Sequence, residues 1–343
     1  MQGDSIYFNR NESFASATNN IKVTDTANQS VIRGHYAEVF RDRDSLFITK
    51  RALASMKQEQ DSIHIHSDTL MITGKPENRI IRGFYHSKMY KSDMSGKCDS
   101  IHINEKTGLT QMIGNPVVWS ANSQMTGDSI HLINDPTTEK MDSLKVFNNA
   151  FMIQKDSIEG YNQVKGKEMY GLFSDDNQLE EANFIKNTET IYYSRNEDGS
   201  LIGIDKAISS SIKILFEEKG ISDIYYYTDV ESTLYQESDF PKNARRLKNF
   251  NWRGDEKLTR KEDLFAEDGP IDLPKIKGIP LPKDENFFDE RKEEDPQLLN
   301  ENSRLTPDIL EHRETDTITE DSIPPTRNKN RKRLPFKKIK TDH

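Results

Sequence analysis

One cysteine, Cys98, stands in 343 residues, so the chain can close no disulfide within itself and build no zinc site from several thiolates. It holds no run approaching the ~20 apolar residues of a membrane-spanning helix. No apolar segment of signal-peptide kind follows Met1. Proline is almost missing upstream: Pro76, Pro116 and Pro136 precede residue 240, and the other ten of thirteen follow it. Hydrophobic residues are scarce as well, 33% against 31% charged, with a mean hydropathy of -0.84. That is too polar for one compact core over the whole length, so either a large part is unfolded or the folded part is thin, with much surface for its volume. Positive charge is not in excess. The net charge of -9 removes any general electrostatic case for binding nucleic acid, and a basic function would have to be local.

Signatures of catalysis are missing too. Glycines occur singly, without a phosphate-loop, dinucleotide or nucleophile-elbow pattern. Carboxylates are abundant, but no spacing singles out a catalytic pair. The chain therefore reads as non-enzymatic, with no cofactor and no metal.

What the chain has in quantity is a phrase. Asp-Ser-[Ile/Leu], usually followed by a second apolar residue two places on, occurs at Asp4, Asp44, Asp61, Asp99, Asp128, Asp142 and Asp156. The pairs Ile6/Phe8, Leu46/Ile48, Ile63/Ile65, Ile101/Ile103 and Ile130/Leu132 alternate with period two, the mark of half-buried strands. Asp and Ser at the strand entrance suit a corner, where short polar side chains bond nearby amides. A longer unit surrounds the phrase: "VIRGHYAEVFRDRDSLFIT" from Val31 resembles "IIRGFYHSKMYKSDMSGKCDSIHIN" from Ile80, a shift of 49 residues between Arg33 and Arg82. A unit of that length holds several strands, so the fold adds strand groups along an axis. Turn signals such as "TGKPEN", "IGNPVV" and "NEDGS" separate the strands, and the only helix candidates, "LFEEKG" and "NARRLKNF", are short.

The reading is all-β: an elongated roll over residues 1–250, as one roll or two in tandem, then a Pro-rich, charged, disordered tail over 251–343, acidic first and basic last. The terminal "NRKRLPFKK" could meet anionic lipid headgroups, nucleic acid or an acidic partner, but a solubilising tail is the plainer reading. His64, His102 and His131 follow the Ile of the phrase, with His66 two places on; stacked copies could form a metal-binding ladder, against which a solvated sheet face is preferred. Cys98, four residues from His102 and so expected on its side of the strand, reads as a structural thiol.

The recurring Asp-Ser-[Ile/Leu] strands, the "IRG[HF]Y" units and the closing "LKNFNWRGDEKL" resemble the OstA-like proteins of Bacteroidetes-type bacteria, which are similar to the lipopolysaccharide-transport protein LptA and to the N-terminal domain of LptD. The resemblance covers about residues 1 to 260. It implies a β-jellyroll open along one side, whose apolar groove carries lipid A acyl chains across the periplasm toward the outer membrane. It also implies partners among other bridge components of that system and end-to-end association of rolls. The groove lining would map onto Ile6, Phe8, Leu46, Ile48, Ile63, Ile65, Ile101, Ile103, Ile130 and Leu132. Strand periodicity chooses those positions, and the family supplies their role. Because the sequence opens inside the repeated phrase, two readings of its start stay open: a preceding export or anchor segment, or a cytoplasmic beginning. The rival to the carrier reading is a structural assembly module, with a solidly packed roll and partners recruited by edge-strand addition.

Overall fold

The computed structural model describes residues 1–288, apart from 27–28, 58–60, 139, 157–159, 218–219 and 283–286. Its strands are β1 (Ser5–Asn9), β2 (Phe14–Asp25), β3 (Ser30–Phe40), β4 (Ser45–Lys57), β5 (Ser62–Thr73), β6 (Ile80–Tyr90), β7 (Met94–Asn104), β8 (Leu109–Ile113) and β9 (Val117–Ser120). They continue as β10 (Ser123–Thr126), β11 (Ser129–Asn134), β12 (Met141–Lys155), β13 (Tyr161–Phe173), β14 (Leu179–Arg195), β15 (Leu201–Glu217), β16 (Gly220–Tyr227) and β17 (Glu231–Tyr235). All seventeen belong to one continuous antiparallel sheet. The sheet is an up-and-down meander in which two long strands are broken. β7 pairs β9 through its first half and β8 through its second, and β12 likewise pairs β10 and β11. The break between β8 and β9 falls at Gly114-Asn115-Pro116, where two left-handed residues precede a proline without an N–H.

A crease runs across the long strands. At the middle of β2, β4, β6, β12 and β14 two consecutive residues are left-handed: Asn19-Asn20, Lys50-Arg51, Tyr85-His86, Asn148-Asn149 and Lys186-Asn187, with φ between 47 and 66°. The ladders slip at these points, each bulged strand carrying one residue more than its neighbours. A bulge bends its strand, and bulges aligned on alternate strands bend the whole sheet along one line. The left-handed region costs an ordinary residue roughly 1–2 kcal/mol, and Asn tolerates it best, which accounts for five Asn among these ten positions. The repeated Asp belongs partly to this line. Asn20 donates to both carboxylate oxygens of Asp4 at 3.1 and 3.0 Å, and Asn149 donates to Asp128 at 2.9 Å. Asp44, itself left-handed, and Asp61 stand instead at turns before β4 and β5. The phrase thus serves two kinds of corner, at the crease and at the sheet margin. Its seventh copy, at Ser157 and Ile158, lies outside the described residues.

Folding along the crease brings two half-sheets face to face. On one half, Ile6, Ala17, Ala37, Ile48, Leu70, Gly83, Ile101, Met112, Ile130, Val146, Met169, Phe184, Ile212 and Tyr226 form a single cross-strand row. Ile32, Ala54, Ile65, Met89, Val118, Met125, Met152 and Val164 answer from the other half, and both sets, Ile6 and Gly83 apart, belong to one hydrophobic cluster. Small residues such as Gly83, Ser67 and Ser87 flank the crease on its inner side. A Cβ on Gly83 would lie 2.2 Å from Ser67 Oγ and 2.7 Å from Ile101 Cγ2.

The expected boundary at residue 250 is corrected by the segment after β17. Residues 236–282, with 287 and 288, lie as a strap over the outer face of the second half-sheet, starting at β15 and ending against β2 to β5. Phe240 and Leu247 are buried on Phe151, Ile153, Ile191, Tyr193 and Ile204, while Leu258, Leu264 and Phe287 are buried on Leu53. Two buried glutamines each grip the strap's backbone twice. Gln163 donates to Arg245 O at 2.8 Å and accepts from Leu247 N at 2.9 Å; Gln124 donates to Asn251 O at 2.8 Å and accepts from Arg253 N at 2.7 Å. Composition suggested a tail because the strap spends few apolar residues, spaced without period, and satisfies its backbone through side chains. The rest of the expected tail, residues 289–343, lies outside the described residues. Of the helix candidates, Leu215–Glu217 continue β15, and only Lys242–Ala244 form a single 3-10 turn.

Candidate functional site: the apolar interior and its rims

All ten positions expected to line a groove are on the inner face, in three sets. Ile6, Ile48, Ile101 and Ile130 stand in the row described above. Phe8, Leu46, Ile103 and Leu132 stand in the next row toward the margin, and Ile63 and Ile65 lie on the opposite half-sheet. Their exposure differs sharply. Ile48, Ile65 and Ile130 are fully buried and Leu46, Ile101, Ile103 and Leu132 nearly so, whereas Ile6 and Phe8 are 49% and 46% exposed. The difference is one of neighbours: β1 is a five-residue edge strand on one half-sheet, and the other half is extended beside it only by the single bridge of Gln2 to Lys22. The interior between the halves is packed, and the inward rows interdigitate.

The two free margins of the folded sheet form rims along the side opposite the crease. Half-buried apolar residues line them: Val23, Met56 and Ile63 on one, Val39, Met141 and Leu179 on the other. Between Ile63, Met89 and Met94 on one side and Leu132 and Met141 on the other remains a space of about 20 Å3, room for one water. Arg79, on the turn before β6, reaches across to Asp25 at the end of β2 in a mostly buried ion pair. Glu105 lies beside that pair, and burial pushes its carboxyl up to about 6 despite the nearby Arg79.

The two ends of the interior are unlike. At β1, Ile6, Tyr7 and Phe8 are open to solvent. At the other end, Tyr226 closes the row with its hydroxyl, which donates to Asp205 at 3.0 Å and shares a hydrogen bond with Thr190 at 3.2 Å. Ser232 donates to the same carboxylate at 2.6 Å. Burial drives the Tyr226 phenol far above its usual range, so it remains a donor.

The histidines take unlike positions. His102 and His131 flank Gln111 in one outward row, Gln111 Nε2 lying 3.1 Å from His131 Nε2. Both imidazoles are pushed down, by burial first and then by Arg82 and Lys145 respectively, which keeps them neutral at pH 7. His66 lies apart, buried under the strap with Asp268 at 3.1 Å. Among the described residues no group of three or more His, Cys, Asp or Glu could hold a metal ion. Cys98 is on the inner face, away from His102: the crease at Asp99 inverts the alternation, so Cys98 shares its side with Ile101. Burial raises its thiol to about 12, the protonated and unreactive form.

Residues 56–140, from the end of β4 past β11, match the family described as LptA/(LptD N-terminal domain) LPS transport protein. Over that span the resemblance to OstA-like proteins holds. Among solved structures the chain is similar to LptH of Pseudomonas aeruginosa, described as the LptA homologous periplasmic component of the lipopolysaccharide transport device. That likeness has a TM-score of 0.32 and 13% identity, over 41% of this chain and 97% of that one. No curated protein sequence matches the chain.

Proposed function

We propose that this protein is a non-enzymatic component of lipopolysaccharide transport that shelters lipid A acyl chains between its half-sheets, in the periplasm and in contact with other bridge components of that system. The observation that carries this reading is the continuity of the inner rows. From Ile6 and Phe8 to Tyr226 and Ile224 every position of the two inward rows of one half-sheet, Thr110, Gly83 and Gly171 apart, is a sizeable apolar side chain or alanine. The family match over residues 56–140 supplies the cargo class. Acyl chains would gain about 0.8 kcal/mol per buried methylene, and transfer along the rows requires no reaction chemistry. The exposed edge of β1 suits addition of a strand from a neighbouring roll.

A second reading has an observation of its own. The interior is packed, with Ile48, Leu70, Met112 and Ile130 wholly buried, as a purely structural module recruiting partners at its edges would be. The two separate on one experiment: a photoreactive benzoylphenylalanine at Phe8 or Ile63, with Tyr170 on the outer face as control, irradiated in cells. The carrier reading expects cross-links to lipopolysaccharide from Phe8 and Ile63 and none from Tyr170, and loss of those cross-links when Ile101→Asp places a carboxylate in the interior. Cross-links to protein alone would refute it in favour of the structural module.

A further inference from the structure

A cleft of about 680 Å3 lies outside the apolar interior, where the crease meets the strap. In a chain of net charge -9, five cations line it, Lys165, Lys167, Lys186, Lys248 and Arg253, against a single carboxylate, Asp128. That carboxylate is already engaged by Asn149. Lys165 and Lys186 are held at the walls by Glu189 at 2.6 Å and Glu168 at 3.3 Å, and Arg253 by Glu256 at 2.8 Å. Lys167 and Lys248 have no ion pair among the described residues, although one comes from β13 and the other from the strap. Amides of Asn187, Asn249 and Asn251 stand between the cations, and Pro116 and Phe151 add apolar surface.

We propose that this cleft binds a phosphorylated saccharide. Lysines without partners are point charges for phosphate, and Asn amides, both donor and acceptor, match sugar hydroxyls. The volume far exceeds one phosphate and falls in the range of sites for small organic ligands. An aromatic platform for stacked bases is missing, since the one aromatic lining residue, Phe151, is 5% exposed, and that disfavours a nucleic acid. The cleft does not depend on acyl-chain burial, because it opens on the outer side of the sheet. The ligand could be the headgroup of a glycolipid or a free sugar phosphate, and the chemistry recognised is the same.

The test uses the full chain and calorimetry with glucose 1,6-bisphosphate, glucose, inorganic phosphate and poly-glutamate. Binding of the bisphosphate about tenfold or more tighter than the other three is expected, as is a loss of about tenfold or more in the Lys167→Glu/Lys248→Glu variant with a shallower salt dependence. Both positions are exposed, so circular dichroism should show an intact fold. Equal binding of glucose, of phosphate or of poly-glutamate, or an unchanged affinity in the variant, would overturn the proposal. Phosphatidylcholine vesicles doped with lipopolysaccharide separate the sources: capture that the bisphosphate competes away supports a lipid headgroup, and bisphosphate binding without vesicle capture supports a soluble sugar phosphate. Neither outcome bears on acyl-chain cross-linking at Phe8 and Ile63, so the two readings fail independently.

Discussion

Leu264→Ala should release the strap while leaving the folded sheet in place. Leu264 is fully buried against Leu53, Leu258 and Phe287, and its carbonyl accepts from Lys88 Nζ at 3.1 Å. Truncating a buried Leu to Ala costs about 2–5 kcal/mol, with the lower end applying where the site can collapse. The strap is one chain thick, so about 2–3 kcal/mol is the reasonable range here. Besides Leu258 and Phe287, the anchors around it are polar: Lys97 to Glu267 at 2.6 Å, His66 to Asp268 at 3.1 Å, and Tyr90 to Thr259 O at 3.2 Å. Water replaces each of these when the strap lifts, so they return little of the lost apolar energy. Opening should thus be local, in the sense that a surface element separates at lower free energy than the global transition. Limited proteolysis followed by mass spectrometry should show new cuts between residues 255 and 288 in Leu264→Ala, with the sheet fragment persisting. Leu70→Ala, in the interior and equally buried, should instead lower the unfolding midpoint without favouring cuts in the strap. If Leu264→Ala accelerated cleavage of strap and sheet alike, or changed neither, the strap would not be a separable layer and the reasoning would fail.

Two more outcomes are expected. The Glu105 carboxyl is raised to about 6 from 4.5, so its contribution to stability is complete below pH 4.5 and is lost as pH rises through 6; Glu105→Gln should remove that loss, measured as the difference in urea midpoint between variant and parent at pH 4.5 and pH 7. Alternate N–H groups of the edge strand β1 point away from β2, so either Ile6→Pro or Tyr7→Pro removes an outward donor, and one of the two should abolish the concentration-dependent self-association that sedimentation is expected to show for the parent chain; a strict monomer throughout would count against edge pairing.

What was legible in the sequence was face and period. Alternation put Ile48, Ile65, Ile101 and Ile130 on the inner face because a half-buried strand leaves no other pattern for its apolar residues. Exposure was not legible, because it depends on what stands opposite: Ile6 carries the same local pattern as Ile101, but β1 is a short edge strand on one half-sheet. The crease left only a partial signal. Asn-Asn at 19–20 and 148–149 marks left-handed backbone, yet the homologous places in β4 and β6 hold Lys50-Arg51 and Tyr85-His86, which no composition rule flags. Missing the crease misplaced Cys98, since alternation was carried straight through Asp99. The strap was illegible for a different reason. It has no period, and its buried Phe240, Leu247, Leu258, Leu264 and Phe287 stand singly among charges that read as solvated chain. The basic cleft was hidden with it, because Lys248 and Arg253 come from the strap and meet Lys165 and Lys186 only through the fold.

The packed interior and the proposed lipid cargo would be reconciled by opening where it is cheapest. Parting the central rows would expose side chains such as Ile48, Leu70 and Ile130, at about 1.5–3 kcal/mol for each large apolar group. Parting the rims exposes Val23, Met56, Ile63, Met141 and Leu179, which are already half in water, so the same separation costs a fraction of that. The crease lets the halves rotate about one line, because each bulge already interrupts its ladder and few strand-to-strand bonds change when the angle widens. Against that motion stands the Asp25–Arg79 pair, which spans the rims beside Glu105. On the proposed carrier reading, an acyl chain entering there would replace rim contacts and regain their apolar area without displacing the central rows. On that reading the residues to meet cargo first would be the rim set and the open pair Ile6 and Phe8, with Ile48, Ile101 and Ile130 as the buried floor between the two half-sheets.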